Sequence, residues 1–168
     1  MKILVFADSH GRSAGMFYAI ENEKPDAVIH LGDYTGDADE LERAYCAIPV
    51  YRVRGNNDYD PDIPLHAVIT PANVPIYITH GHKERVSMLA WGILPQKAAE
   101  EGCVLALYGH THRTLLEKAG GVWVMNPGSI SLPRGGPASY GRLTLEGGRI
   151  DRLEILDEDG HLLHEQRF

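Results

Sequence analysis

The chain opens on an uninterrupted apolar run, Ile3 to Ala7, inside the segment KILVFAD (2–8). A strand that is apolar at successive positions rather than alternate ones is buried on both faces, so this segment predicts a central strand. Ser13 then offers an N-cap to a helix that carries Met16, Phe17 and Ile20 on one face and ends before Pro25. DAVIHLGD (26–33) repeats the buried-strand pattern. It is followed by an acidic stretch in which Asp37 is the expected N-cap and Leu41, Ala44 and Tyr45 form the apolar face. PVYRVRGNND (49–58) is a third strand that breaks into a polar turn. The resulting βαβαβ order predicts a parallel sheet with right-handed crossovers.

The second half is less regular. AVIT (67–70) and VPIYITHG (74–81) read as neighbouring strands across a short turn, and Pro95 opens a helix that ends near Gly102. VLALYGH (104–110) is again a buried strand. GVWVMN, SYGRLTLEG and RIDRLEIL alternate apolar and polar residues between glycine-rich turns, the pattern of antiparallel strands with one solvated face. No repeat, linker or low-complexity tract divides the 168 residues. The expectation is one domain over 1–168, with a two-layered β core flanked by helices.

Composition narrows the function classes. A net charge of -7 disfavours a general attraction to long nucleic acid or to an anionic membrane. A phosphate-bearing substrate would have to be drawn by something local, such as bound divalent cations. No apolar stretch approaches the roughly 20 residues that span a bilayer, and the first segment lacks a signal-peptide pattern, so a cytoplasmic location is expected. Cys46 and Cys103 lie in no close-spaced motif and are expected to be two buried thiols rather than a disulfide.

The polar groups fall in a telling place. Five apolar runs end in residues of metal-ligand type: Asp8 and His10 in ADSHG, Asp33 in LGDY, Asn56 and Asp58 in RGNND, His80 and His82 in THGH, His110 and His112 in YGHTH. A single Asp or His after a strand is more often a cap or turn former. Five such clusters, each with glycine in or beside it, are better explained by convergence on one crevice at the carboxyl ends of the strands. Carboxylate, imidazole and amide ligands without thiolate suit first-row divalent metals and argue against a structural zinc knot. The set is long enough for two ions sharing a carboxylate.

The ordered series DSH, GD, GNND, THGH and GHTH, with NPGS (126–129) after it, resembles the calcineurin-like metallophosphoesterases, and among them the small bacterial and archaeal phosphodiesterases of the YfcE type. The resemblance runs from Asp8 to about Arg134. It implies a four-layer α-β-β-α sandwich with two mixed sheets and a dinuclear centre at one edge of the β core. Asp8, His10 and His112 would hold one metal, Asn56, His80 and His110 the other, and Asp33 would bridge them. The implied cofactors are two divalent ions, manganese first, with iron, zinc, nickel or cobalt as alternatives. The implied reaction is attack on phosphorus by a metal-bridging hydroxide, on a small phosphate-ester substrate. His82 falls outside the family's ligand set and is read as a neighbour of the site or a surface residue.

One departure bears on substrate. The family often carries a histidine after the metal-binding asparagine, able to protonate the leaving group, whereas this chain has Asn57, with Asp58 behind it assigned to catalysis in a supporting role. An amide is not a general acid near neutral pH, although it donates hydrogen bonds, so Asn57 is assigned a catalytic contact to phosphate oxygen and diesters are expected over alkyl monoesters. The NPGS segment is read as a turn, and Arg134 as either a phosphate contact or a solvent-facing residue. The alternative function is a non-catalytic metal-binding scaffold of the same fold that binds a protein partner, against which stands the complete ligand set. Edge segments in the antiparallel half are compatible with a homo-oligomer.

Overall fold

A computed structural model describes residues 1–88 and 91–168. Two mixed sheets form the centre. The first contains β1 (Lys2–Phe6), β2 (Ala27–His30), β3 (Val50–Arg52), β9 (Ser139–Glu146), β10 (Arg149–Asp157) and β11 (Leu162–Arg167), in the order β11-β10-β9-β1-β2-β3. The second contains β4 (His66–Ile69), β5 (Ile76–Thr79), β6 (Leu105–Leu107), β7 (Thr114–Ala119) and β8 (Val122–Pro127), in the order β4-β5-β6-β8-β7. In the first sheet β1, β2 and β3 are parallel, and in the second β5, β6 and β8 are parallel.

Side-chain alternation explains the layering. Ile3 and Val5 of β1, and Ala7 just after it, point between the sheets, where they meet Ile29, Ile76, Ile78, Leu105 and Leu107. Leu4 and Phe6 point the other way, onto Met16, Ala19 and Ile20 of α1 (Ala14–Glu23) and Leu41 of α2 (Thr35–Ala44). On the far side, Tyr77, Ala106 and Val124 cover Leu94 and Ala98 of α3 (Leu94–Glu100). Strands covered on both faces must be apolar throughout, which is why these runs do not alternate. Each fully buried aliphatic side chain contributes about 1.5–3 kcal/mol. The four-layer arrangement expected from the sequence is the one observed.

Several local expectations change. Asp37 is not the N-cap of α2: the helix begins two residues earlier, at Thr35, and the Asp37 carboxylate accepts the Gly11 N–H at 2.9 Å. Ser13 does stand at the N-cap of α1, but its hydroxyl donates to Glu40 Oε2 at 2.8 Å instead of capping the helix. The strand GVWVMN is largely buried and runs parallel to β6, since the edge strand β7 pairs along its other side. Cys103 is buried, whereas Cys46 is exposed in the turn after α2. No described helix is long and apolar enough to cross a membrane.

Candidate metal centre

The five segments that carry the candidate ligands leave the carboxyl ends of β1, β2, β3, β5 and β6, and adjacent parallel strands from the two packed sheets bring them to one edge of the β core. Asp8, His10, Asp33, His110 and His112 all have positive φ, between 49° and 67°. Only a few per cent of non-glycine residues take this conformation. Five such residues among seven candidate ligands mark a backbone bent to aim side chains inward, at a local cost that surrounding contacts must offset.

Asp8 is the pivot. Its carboxylate is fully buried, one oxygen accepts the His110 N–H at 3.0 Å, and the other, Oδ1, has no hydrogen-bond partner among the described residues. That oxygen lies 3.4 Å from His112 Nε2 and 3.9 Å from His80 Nε2. His80 Nδ1 donates to the Leu31 carbonyl at 2.8 Å and His112 Nδ1 to the Leu132 carbonyl at 2.7 Å. Each ring therefore presents an Nε2 lone pair to the site.

Further acceptors face the same space. Asn56 Oδ1 is 3.1 Å from His80 Nε2, Asp33 Oδ1 is 3.4 Å from the same nitrogen, and Asp33 Oδ2 is 3.7 Å from His10 Nε2. His10 Nε2 and His112 Nε2 are 3.2 Å apart. Lone pairs converging on one space suit a cation, and Asp8, His10 and His112 form one compact group while Asp8, Asp33 and His80 form another. The residues present therefore fit divalent metal. His110 packs edge-on against His80 at 5.1 Å between ring centres.

Titration follows the same geometry. The Asp8 carboxylate holds the His112 pKa above its ordinary value, with burial opposing it. Burial, followed by the neighbouring His80, lowers His110. His82 is also lowered by burial and by His80. Its ring lies 5.4 Å from that of His80, so His82 is a neighbour of the site, not a remote surface residue.

The two residues after Asn56 hold the frame. Asn57 donates its backbone N–H to Asp33 Oδ1 and its side-chain amide to Asp33 Oδ2, at 3.0 and 2.7 Å, while also lining the open cleft. Asp58 accepts backbone N–H groups of Gly55, Asp33, Tyr34 and Thr35 at 2.7–2.9 Å, so a carboxylate from the β3 turn caps α2. Burial would raise its pKa, but these four donors prevail and hold it below the usual carboxylate range. Gly55 has to be glycine because a Cβ there would land on the Asp33 carboxylate.

Other supporting residues escaped the sequence pattern. His30 is fully buried and accepts the Gly32 N–H on Nδ1, which leaves Nε2–H to donate to Ser9 Oγ at 3.0 Å. Ser129 and Ser131 hydroxyls donate to the Asp8 carbonyl at 2.8 and 3.1 Å, and Asn126 Nδ2 donates to the Gly109 carbonyl at 2.8 Å. NPGS is thus a clip across the ends of β1 and β6 as well as a turn. A lone His in an apolar strand and serines in a turn carry no signal of this role, although the whole NPGS segment did stand out.

Over the centre lies a cleft of about 740 Å³, whose walls include His10, Asn57, His110, Leu132 and Arg134. Residues 1–148 match the model of the calcineurin-like phosphoesterase superfamily domain. The chain is 33% identical, over 87% of its length and 85% of the relative's, to the probable metallophosphoesterase YsnB of Bacillus subtilis. It is 32% identical to the phosphodiesterase YfcE of Escherichia coli, covering 85% of this chain and 87% of that one. A crystal structure of a predicted phosphoesterase from Streptococcus pneumoniae superposes with a TM-score of 0.82 at 29% identity, covering 99% and 96% of the two chains.

Proposed function

From its membership of the calcineurin-like phosphoesterase superfamily, to which the chain belongs, we propose that the cleft at the strand ends is a dinuclear centre hydrolysing small phosphodiesters. The chain is a metal-dependent phosphate-ester hydrolase. Within that activity, Asp8, His10 and His112 would hold one ion, Asn56, His80 and His110 the second, and Asp33 would bridge the pair. Manganese is the proposed native metal. The observation that carries the reading is the buried Asp8 Oδ1, without a hydrogen-bond partner among the described residues and faced by the Nε2 lone pairs of His80 and His112. Two cations, when bound, would neutralise phosphoryl oxygens and lower the pKa of a coordinated water.

The chain's own residues divide the remaining tasks. Asn57 orients Asp33 through two hydrogen bonds and, from the cleft wall, can also turn toward a phosphate oxygen. It supplies no proton near neutral pH, so esters whose leaving groups need none are favoured. Asp58 fixes the Asp33 backbone. The proposal includes one catalytic domain over 1–168 and a cytoplasmic location, for which the two free thiols are supporting evidence.

The test is hydrolysis of bis-p-nitrophenyl phosphate beside p-nitrophenyl phosphate by metal-stripped protein reconstituted with manganese. Diesterase activity that disappears in Asp33→Asn is the expected result. Protein that binds metal and cleaves neither ester would instead favour a scaffold.

A further inference from the structure

Beside the main cleft, and sharing His112, Arg113, Thr114 and Arg134 with it, lies a smaller recess of about 210 Å³. The Arg134 N–H donates to the His112 carbonyl at 2.9 Å, and Arg113 follows His112 directly, so both arginines are tethered to the same candidate ligand. Arg52, Arg142, Arg152 and Arg167 are each paired with carboxylates. Neither Arg113 nor Arg134 has such a partner among the described residues. Gly135 and Gly136 line the recess, and no carboxylate does so among the described residues. On a chain of net charge -7, two available guanidiniums beside a candidate metal centre are a local reversal of sign.

The neighbouring cleft is much larger than a phosphoryl group needs. Its 740 Å³ is the size that takes a drug-sized organic molecule, and Val86, Leu115 and Leu132 supply apolar wall. Arginine matches phosphate oxygens with paired, charge-assisted hydrogen bonds.

We infer that Arg113 and Arg134 form a second anion subsite, selecting phosphodiesters that carry an additional phosphoryl group on an organic body lodged in the cleft. This rests on the hydrolase reading of the main site. The ester phosphorus would sit at the strand ends, the body along the apolar wall, and the additional phosphoryl group in the arginine-lined recess.

Two probes that differ only in a 3′-phosphate isolate the subsite. Binding of thymidine 3′,5′-bisphosphate and thymidine 5′-phosphate to the manganese-loaded full chain is measured by calorimetry, in the wild type and in Arg113→Gln/Arg134→Gln. The bisphosphate should bind about tenfold more tightly to the wild type, and the ratio should fall to near one in the double variant. In parallel, the p-nitrophenyl esters of the same two nucleotides, joined through the 5′-phosphate, should show a matching ratio of kcat/KM. Equal binding of the two nucleotides, binding of neither, or a contrast that survives the double variant would overturn the subsite. A binding contrast without hydrolysis of either ester would leave the subsite standing and count against the hydrolase reading.

Discussion

Asn57 grips both carboxylate oxygens of Asp33, with its backbone N–H on Oδ1 at 3.0 Å and its side-chain amide on Oδ2 at 2.7 Å. The residue that replaces the expected histidine is therefore tied to the proposed bridging ligand. Asn57→Ala removes one of two orienting bonds, and loss of such support typically weakens metal binding about 10- to 100-fold. Metal-affinity titration against a competing chelator reads this directly. Asn57→His should raise the ratio of monoesterase to diesterase rate, because imidazole can protonate a leaving group.

The carboxylate of Asp58 carries a different burden. It accepts four backbone N–H groups, three of them from residues 33–35 in another segment. Asp58→Ala leaves these donors without their partner and should destabilise the fold by about 2–3 kcal/mol, measured by urea unfolding of the metal-free protein. The folded pKa lies below the unfolded one, so this stabilisation is present above the unfolded carboxylate pKa and disappears as pH falls through the folded value.

His30 gives a pH dependence of its own. Burial, partly opposed by Asp58, Asp37 and Asp8, lowers its pKa from 6.5 to about 4. Between these values the unfolded chain binds a proton that the folded chain refuses, so stability falls as pH drops from 6.5 to about 4 and this contribution then levels off. The slope approaches about 1.4 kcal/mol per pH unit within that window. The drop in unfolding free energy from pH 7 to pH 5 should be smaller in His30→Gln than in the wild type, both free of metal.

At Asp8 the proposed metal binding is set against stability. A buried carboxylate oxygen without a partner is costly to the metal-free fold, and Asn keeps an oxygen for the His110 N–H while placing an amide donor among the imidazole lone pairs. Metal-free Asp8→Asn should therefore melt at or above the temperature of the metal-free wild type. Added manganese should raise the melting temperature of the wild type and do so far less in the variant.

The residue order alone was enough to place most of the strands and to single out the candidate ligands, because each signal is local. An apolar run, a glycine and an Asp, Asn or His within a few positions describe a strand end that turns sharply, and the segments after β1, β2, β3, β5 and β6 all do so. The strands β7 and β11 were not legible: TLLEKA and LLHEQR are half-exposed edges, whose extended form is settled by pairing with β8 and β10. Nor could local pattern separate the Asp37 side chain, which takes the Gly11 N–H, from Asp58, which caps α2 from 23 residues downstream. Which nitrogen of His80 faces the site depends on the carbonyl of Leu31, 49 residues away. The residue types that make candidate ligands are a property of short segments, whereas convergence, orientation and protonation are set by long-range hydrogen bonds that exist only when the two sheets are packed.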